Sequence, residues 1–468
     1  MSLQPRDGEG EAPAQGAAWE RAHLAPQAPP PTGAGAPGVW ELAWPVILGN
    51  LLYSTVGLVD IKIVGSLGPS AIAAVTTGNR MFFVLQAMLM AITAGTTALV
   101  ARAWGAGDRT EAERVTRASV LLCLVLATVL MMPGLVFAEV LARFFRLEPE
   151  TVALAATFIR WLSVFNVAFA VFFVLGVALR AAGDTRTPLW TGALTNVVNV
   201  VLVYSLVYGK LGLPALGVRG AAIASGIAFT TGAVVLMGLW ISRRLVLGPG
   251  AGRALQRDRI RRLLHIGYPA ALEQGAWQGG FLAFLWIVAL YGTAPYAAYG
   301  IGVNILSFSF VVGFGFSIAA STLVGQRLGA RDPEGATHSG WRATRLSVAA
   351  MVVLGGSIIL AAERIAGFMI DDPEVVRLTV AFIYILGAVQ PLMAIEFALG
   401  GALRGAGDTR FPLITVLTGL LGVRCVIAGV FAWLGLAVEW IFAALIGDYV
   451  VKATMLTTRF ARGRWREI

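Results

Sequence analysis

One stretch of this chain occurs twice. Ala178-Leu179-Arg180-Ala181-Ala182-Gly183-Asp184-Thr185-Arg186-Thr187-Pro188-Leu189 returns as Ala402-Leu403-Arg404-Gly405-Ala406-Gly407-Asp408-Thr409-Arg410-Phe411-Pro412-Leu413, at an offset of 404 − 180 = 224. The same offset pairs Pro45 with Pro269, Gly68 with Gly292, Leu99-Val100 with Leu323-Val324, Gly105-Ala106 with Gly329-Ala330, Asp108 with Asp332, and Pro149-Glu150 with Pro373-Glu374. A register kept without a gap from Pro45 to Leu189 is an internal duplication. The fold must therefore consist of two similar halves.

Each half is built of long apolar runs. With 57% hydrophobic and 13% charged residues, the chain lies far from the soluble norm, in which about a quarter of residues are charged. Runs of about 20 apolar residues span a bilayer as helices, because hydrocarbon leaves no other way to satisfy backbone polar groups. Twelve such spans are expected. In the first half they run over roughly 39–65, 72–102, 111–140, 150–180, 188–209 and 218–243. In the second they run over 263–290, 295–327, 336–364, 374–403, 412–434 and 437–459. Six per half is even, so both halves enter the membrane from one face and are related by an axis along its normal. The expected fold is an all-α polytopic membrane protein with two six-helix bundles at 38–244 and 263–468, joined by a basic linker at 245–262. Residues 1–37, rich in Pro, Ala, Gly and Gln, read as a disordered tail.

The formal charge of +10 does not signal nucleic acid, since the basic residues fall in the gaps between apolar runs. Arg243, Arg244, Arg253, Arg257, Arg259, Arg261 and Arg262 of the linker share a side with Arg102, Arg109, Arg114, Arg180, Arg186, Arg327, Arg331, Arg404, Arg410 and the C-terminal arginines. The opposite side holds Arg143, Arg146, Lys210 and Arg219 among acids. Positive loops stay cytoplasmic, so both termini and the linker are expected there, in a multi-pass protein of the plasma membrane. Cys123 and Cys425 lie in apolar runs that the duplication does not pair, and no disulfide or metal site is expected of them. His23, His265 and His338 show no ligand spacing either.

The repeated turn has a local logic. Arg180 and Arg404 suit a helix C-terminus, Gly183 and Gly407 permit the left-handed residue that ends it, Asp184 and Asp408 can cap the next helix, and Pro188 and Pro412 suit its first turn. Gly105-Ala106-Gly107-Asp108 and Gly329-Ala330-Arg331-Asp332 form a second pair of turns on the same side. No strand precedes them and no P-loop lysine follows.

Asp60 is the candidate for chemistry. It lies fifteen positions after Pro45, about 22 Å along a helix at 1.5 Å per residue, and so inside the membrane. A carboxylate at that depth is costly and by default functional. Its offset partner is Phe284, so the duplication supplies a symmetric scaffold that Asp60 breaks. There it could exchange a proton or pair with a sodium ion. Tyr53 and Gly57 share its helix face. Asn196 and Asn199, three apart in the fifth span, could bond the carboxyl group or serve as helix glue. Gln86, Glu273, Gln274, Glu396 and Arg424 are candidates for lining a central chamber, as are Phe82, Phe83, Met88, Met90, Phe281 and Phe308. Asp448 is also intramembrane.

The duplicated Leu-Arg-x-x-Gly-Asp-Thr-Arg-x-Pro turn, the Pro45-to-Asp60 spacing, and Gly68 followed by Ala73-Ala74 resemble the multidrug and toxic-compound extrusion (MATE) transporters, closest to their DNA-damage-inducible F branch, over residues 38–460. The resemblance implies two bundles in a V around a chamber. It also implies alternating access and export of organic cations or other amphipathic molecules by a monomer, against inward protons or sodium. Asp60 matches the acidic residue of the family's first span. Many members carry an acid four residues after an Asn such as Asn199, where this chain has Val203. Sodium-coupled members carry one a turn beyond Glu273, where it has Trp277. The first departure counts against a two-carboxylate coupling site in the first half and leaves the ion open; protons are expected ahead of sodium, with no cofactor and no enzymatic role. A flippase for a lipid-linked precursor is the alternative within the superfamily. It would need a cationic cavity to which only Arg424 could contribute.

Overall fold

The computed structural model describes residues 37–145 and 147–468, with the side chains of all but Val84 and Leu85. The expected N-terminal tail apart from Pro37, His23 within it, and Arg146 lie outside the described residues. The first half contains α1 (Val39–Gly65), α2 (Pro69–Gly105), α3 (Arg109–Val136), the short α4 (Ala138–Arg143), α5 (Pro149–Val164), α6 (Asn166–Ala181), α7 (Arg186–Tyr208) and α8 (Gly217–Ile241). The second contains α9 (Arg257–Ala289), α10 (Thr293–Gly329), α11 (Pro333–Leu360), the short α12 (Ala362–Met369), α13 (Pro373–Ala406), α14 (Arg410–Val416), a π-helical stretch (Leu417–Cys425), α15 (Val426–Trp433) and α16 (Val438–Ala461).

Ten spans are apolar and long enough by themselves to cross a bilayer, taking α14 through α15 as one, and α5 with α6 makes an eleventh that bends by 54°. The twelfth is α9, the offset counterpart of α1, in which Glu273, Gln274 and Gln278 dilute the apolar run. The fold is thus twelve spanning helices in two bundles. Two boundaries differ from the sequence expectation. The stretch 150–180, read as one span, is broken at Phe165. The linker is shorter than 245–262, because α9 already begins at Arg257.

The repeated turns form as their residues dictate. Gly183 and Gly407 adopt φ of 95° and 92°, which only glycine takes without strain. Asp184 accepts a hydrogen bond from the Thr187 amide at 2.9 Å. Its counterpart departs from the expected cap: the Asp408 carboxylate is held by Arg459, at 2.9 Å from Nε and 2.7 Å from Nη2. A charge-assisted pair outcompetes a single amide. Asp108 and Asp332 cap α3 and α11 through the Glu111 and Gly335 amides, both at 2.8 Å. Asp332→Ala is expected to cost about 1 kcal/mol, the usual worth of such a cap. A lowered thermal transition in detergent would show it, and an unchanged one would mean that water replaces the carboxylate.

The two halves touch where these turns lie, here called the turn end. A Cβ on Gly267 would sit 1.9 Å from the Ala91 carbonyl oxygen, and one on Gly315 would sit 3.2 Å from that of Ala43. Gly267 and Ala43 are offset partners, as are Gly315 and Ala91, so this is one contact made twice. Gly105 against Gln326 and Gly329 against Arg102 repeat the pattern, with a Cβ at 1.9 and 2.0 Å from the facing carbonyl. Thr322 and Gln326 donate to the Arg180 and Ala181 carbonyls at 3.0 and 2.9 Å. The first and seventh spans thereby change sides: Val39, Leu42 and Ala43 of α1 pack into a core of second-half residues, and Leu263 of α9 into a first-half core. Beyond Pro45 and Pro269 each returns to its own bundle, Val64 to the first and Phe284, Ile287 and Val288 to the second.

The linker is not a free basic loop. Arg259, buried, pairs with Glu111 through Nε at 3.0 Å and Nη2 at 2.7 Å, and Glu113 accepts from the Gly248 amide at 2.9 Å. Arg114 donates to the Ala251 carbonyl at 3.1 Å. Six of the seven arginines expected there are exposed, and the seventh, Arg259, turns inward and ties the segment to α3.

Candidate functional site

The far end of α1 and the middle of α7 build the first-half site. Asn199 points from α7 and its Nδ2 donates to Asp60 Oδ2 at 2.8 Å. Asp60 Oδ1 is buried and has no hydrogen-bond partner among the described residues. One turn further out, the Tyr208 hydroxyl donates to the Ile63 carbonyl at 3.2 Å and receives a bond from Ser66 at 2.9 Å. The two helices are thus zipped above the carboxylate. A buried carboxylate with one oxygen bonded by Asn199 and the other met by no described residue has its second oxygen available to a proton or a cation.

The other residues expected around Asp60 make no hydrogen bond to it. Tyr53 is 60% exposed and makes no hydrogen bond to Asp60. Asn196 is half-buried, with no bond to Asp60 among the described residues; of the two asparagines only Asn199 faces α1.

The expected chamber residues also sort differently. Gln86 is buried and donates to Asn166 Oδ1 at 2.8 Å, while Asn166 Nδ2 donates to the Ala127 carbonyl at 2.9 Å. Gln86 therefore braces the bend between α5 and α6 and does not line a chamber. Gln390, the offset partner of Asn166, also bonds across to α10, donating to Ser309 at 2.6 Å, although α13 is unbroken there. Glu273 is bound to Arg404 of the repeated turn at 3.0 Å, which places it in a packing role. Gln274 is half-buried without a partner among the described residues. Phe83, Met88 and Phe308 are exposed, whereas Phe281 packs into the second-half core.

Glu396, Arg424 and Asp448 come together in the second half, joined by a residue that the sequence reading missed. Lys452 Nζ lies 3.0 Å from Glu396 Oε1 and 3.3 Å from Asp448 Oδ1, and Asp448 Oδ2 pairs with Arg424. Arg424 stands at the end of the π-helical stretch, over the rings of Phe284 and Tyr449 at 5.6 and 5.4 Å. The signal for Lys452 was available: it follows Asp448 by four on one helix, the spacing of a facing pair. Beside Arg424 is a small cavity bounded by Trp277, Phe281, Tyr299 and Tyr449, with room for about one water molecule.

Comparison with known proteins fits this geometry. The MatE family model matches residues 45–205 and 269–430, two segments that begin at Pro45 and Pro269. A Thermotoga maritima protein named probable multidrug resistance protein NorM is 32% identical over 437 residues, covering 91% of this chain and 92% of the relative. The Burkholderia vietnamiensis multidrug resistance protein NorM is 31% identical over 409 residues, covering 85% and 87%. Among solved structures, one described as the outward-facing conformation of a multidrug resistance MATE family transporter superposes with a TM-score of 0.83 at 21% identity, over 92% of this chain and 95% of that one. A Pyrococcus furiosus transporter of the MOP superfamily gives 0.85 at 20% identity, over 92% and 96%. With the family model covering both halves and a relative this similar along nearly the whole length, the chain belongs to the MatE family, whose members are membrane transporters and not enzymes.

Proposed function

We propose that the protein is a secondary active antiporter of the plasma membrane. It exports organic cations or other amphipathic molecules as a monomer, in exchange for protons rather than sodium, by rocking its two bundles around a central chamber. The observation that carries the reading is Asp60: the one carboxylate in the first-half interior among the described residues, with one oxygen held by Asn199 and the other met by no described residue. A proton on Oδ1 changes the charge of the α1–α7 contact and biases one arrangement of the bundles, while substrate biases the other. The multidrug resistance names of the relatives support the substrate class. The arginine-rich turns support a cytoplasmic turn end, which makes the arrangement described above the outward-open one. The flippase alternative is weakened, because Arg424, the arginine it would need in a cavity, is engaged by Asp448.

The test is efflux of ethidium from vesicles under an imposed pH or sodium gradient. Asp60→Asn, which keeps the shape and removes the titration, is expected to slow gradient-driven efflux at least about tenfold, equivalent to 1.4 kcal/mol or more. Parent protein should respond to the pH gradient and not to sodium. Equal efflux by both proteins would overturn the mechanism.

A further inference from the structure

The four charges of the second half form an alternating chain, Glu396–Lys452–Asp448–Arg424, with no net charge. Burying ions costs several kcal/mol each even when they are paired, so such a chain requires a reason. Architecture does not supply one. At the offset of 224 the places of Glu396 and Arg424 in the first half hold Phe172 and Val200, and α8, the counterpart of the span that carries Asp448 and Lys452, has no charge beyond Arg219 in its first turn, so that bundle packs the same helices without such a chain. The chain is also unequal from end to end. The Asp448, Lys452 and Arg424 side chains are 0%, 1% and 7% exposed, whereas that of Glu396 is 18% exposed. Glu396 is thus the member open to exchange. Its partner, Lys452, already touches a second carboxylate one helical turn away, so it can leave Glu396 without becoming an unpaired buried charge.

We infer that Glu396 is a cation-accepting carboxylate of the second half, and that the Lys452 ammonium is a built-in occupant that an incoming positive charge displaces toward Asp448. This deepens the antiport reading, since it rests on cationic cargo, and it assigns that cargo a contact separate from Asp60. The excess positive charge then left on Lys452, Asp448 and Arg424 keeps the site weak, as release on the far side requires. The same chemistry fits an organic ammonium or a sodium ion, and the test separates them.

Equilibrium binding of ethidium to the detergent-purified full chain, followed by its fluorescence in potassium or in sodium chloride, reads the site directly. Glu396→Gln is expected to raise the Kd about tenfold or more, and Lys452→Met, which empties the carboxylate, to lower it by a similar factor. The double variant Glu396→Gln/Lys452→Met removes the pair without leaving a lone charge, so its folding is the safest, and it should bind as weakly as Glu396→Gln. If sodium competes with ethidium in the parent but not in Glu396→Gln, the carboxylate takes the inorganic ion as well. A double variant that binds like the parent would make the pair merely structural and overturn the inference, as would a Glu396→Gln Kd within about twofold of the parent. A parent that does not bind ethidium would sink the inference together with the cationic cargo. Unimpaired export by Asp60→Asn, with the Glu396 dependence intact, would sink only the proposed coupling.

Discussion

Gly267→Ala is expected to open the turn end and draw the far ends of the two halves together. The added Cβ would fall 1.9 Å from the Ala91 carbonyl oxygen, a backbone atom with no side chain to swing aside. Relief therefore requires the α9–α2 crossing itself to part. Overpacking of this kind costs typically about 1–3 kcal/mol, and here the cost falls on one access state alone. A difference of that size shifts a two-state population by about 5- to 150-fold. Spin labels at Leu67 and Leu290, exposed positions at the far ends of the two halves, should report a distance several ångströms shorter than in the parent. Gly105→Ala, a Cβ 1.9 Å from the Gln326 carbonyl, should act in the same direction. Distance distributions that match the parent in both variants would mean that the glycines only aid packing and do not set the access state. Gross misfolding is a different outcome, visible as loss of a monodisperse species.

Asp448→Leu is expected to be the most destabilising single change in the second half. It leaves Arg424 and Lys452 to share Glu396, and Arg424 lies beyond that carboxylate's reach along the chain of pairs. Breaking a buried pair from one side typically costs about 3–5 kcal/mol, because the remaining charge keeps its desolvation penalty. The double variant Arg424→Met/Asp448→Leu should recover most of that loss. It makes these places apolar, as the first half is at Val200 and along the matching part of α8, and apolar replacement of a whole buried pair is often neutral. Thermal unfolding in detergent measures both. A double variant no better than Asp448→Leu would show that the pair also fixes the π-helical stretch that carries Arg424.

The sequence was most informative where the physics is local or repeated. The 224-residue offset required two like halves, hydropathy required helices, and glycine and aspartate placed the turns, since a left-handed residue and an N-cap depend on only a few neighbours. Asp60 was legible for a similar reason: an acid fifteen residues beyond Pro45 in an apolar helix is conspicuous without any partner. What lies beside such a residue was not legible. Tyr53, Asn196 and Asn199 all met the spacing rule, yet only Asn199 reaches the carboxylate, because the choice depends on how α1 and α7 rotate against each other. Gln86 and Glu273 were polar enough for a chamber and turned out to brace a bend and hold Arg404.

Apolar run length and the repeat offset thus determined the number of spans, their duplication and the one isolated acid. Tertiary packing decided which side chains meet. A helix fixes the direction of a residue only relative to its own axis, while the angle between axes is set by long-range contacts such as the glycine-to-carbonyl crossings at Gly267 and Gly105.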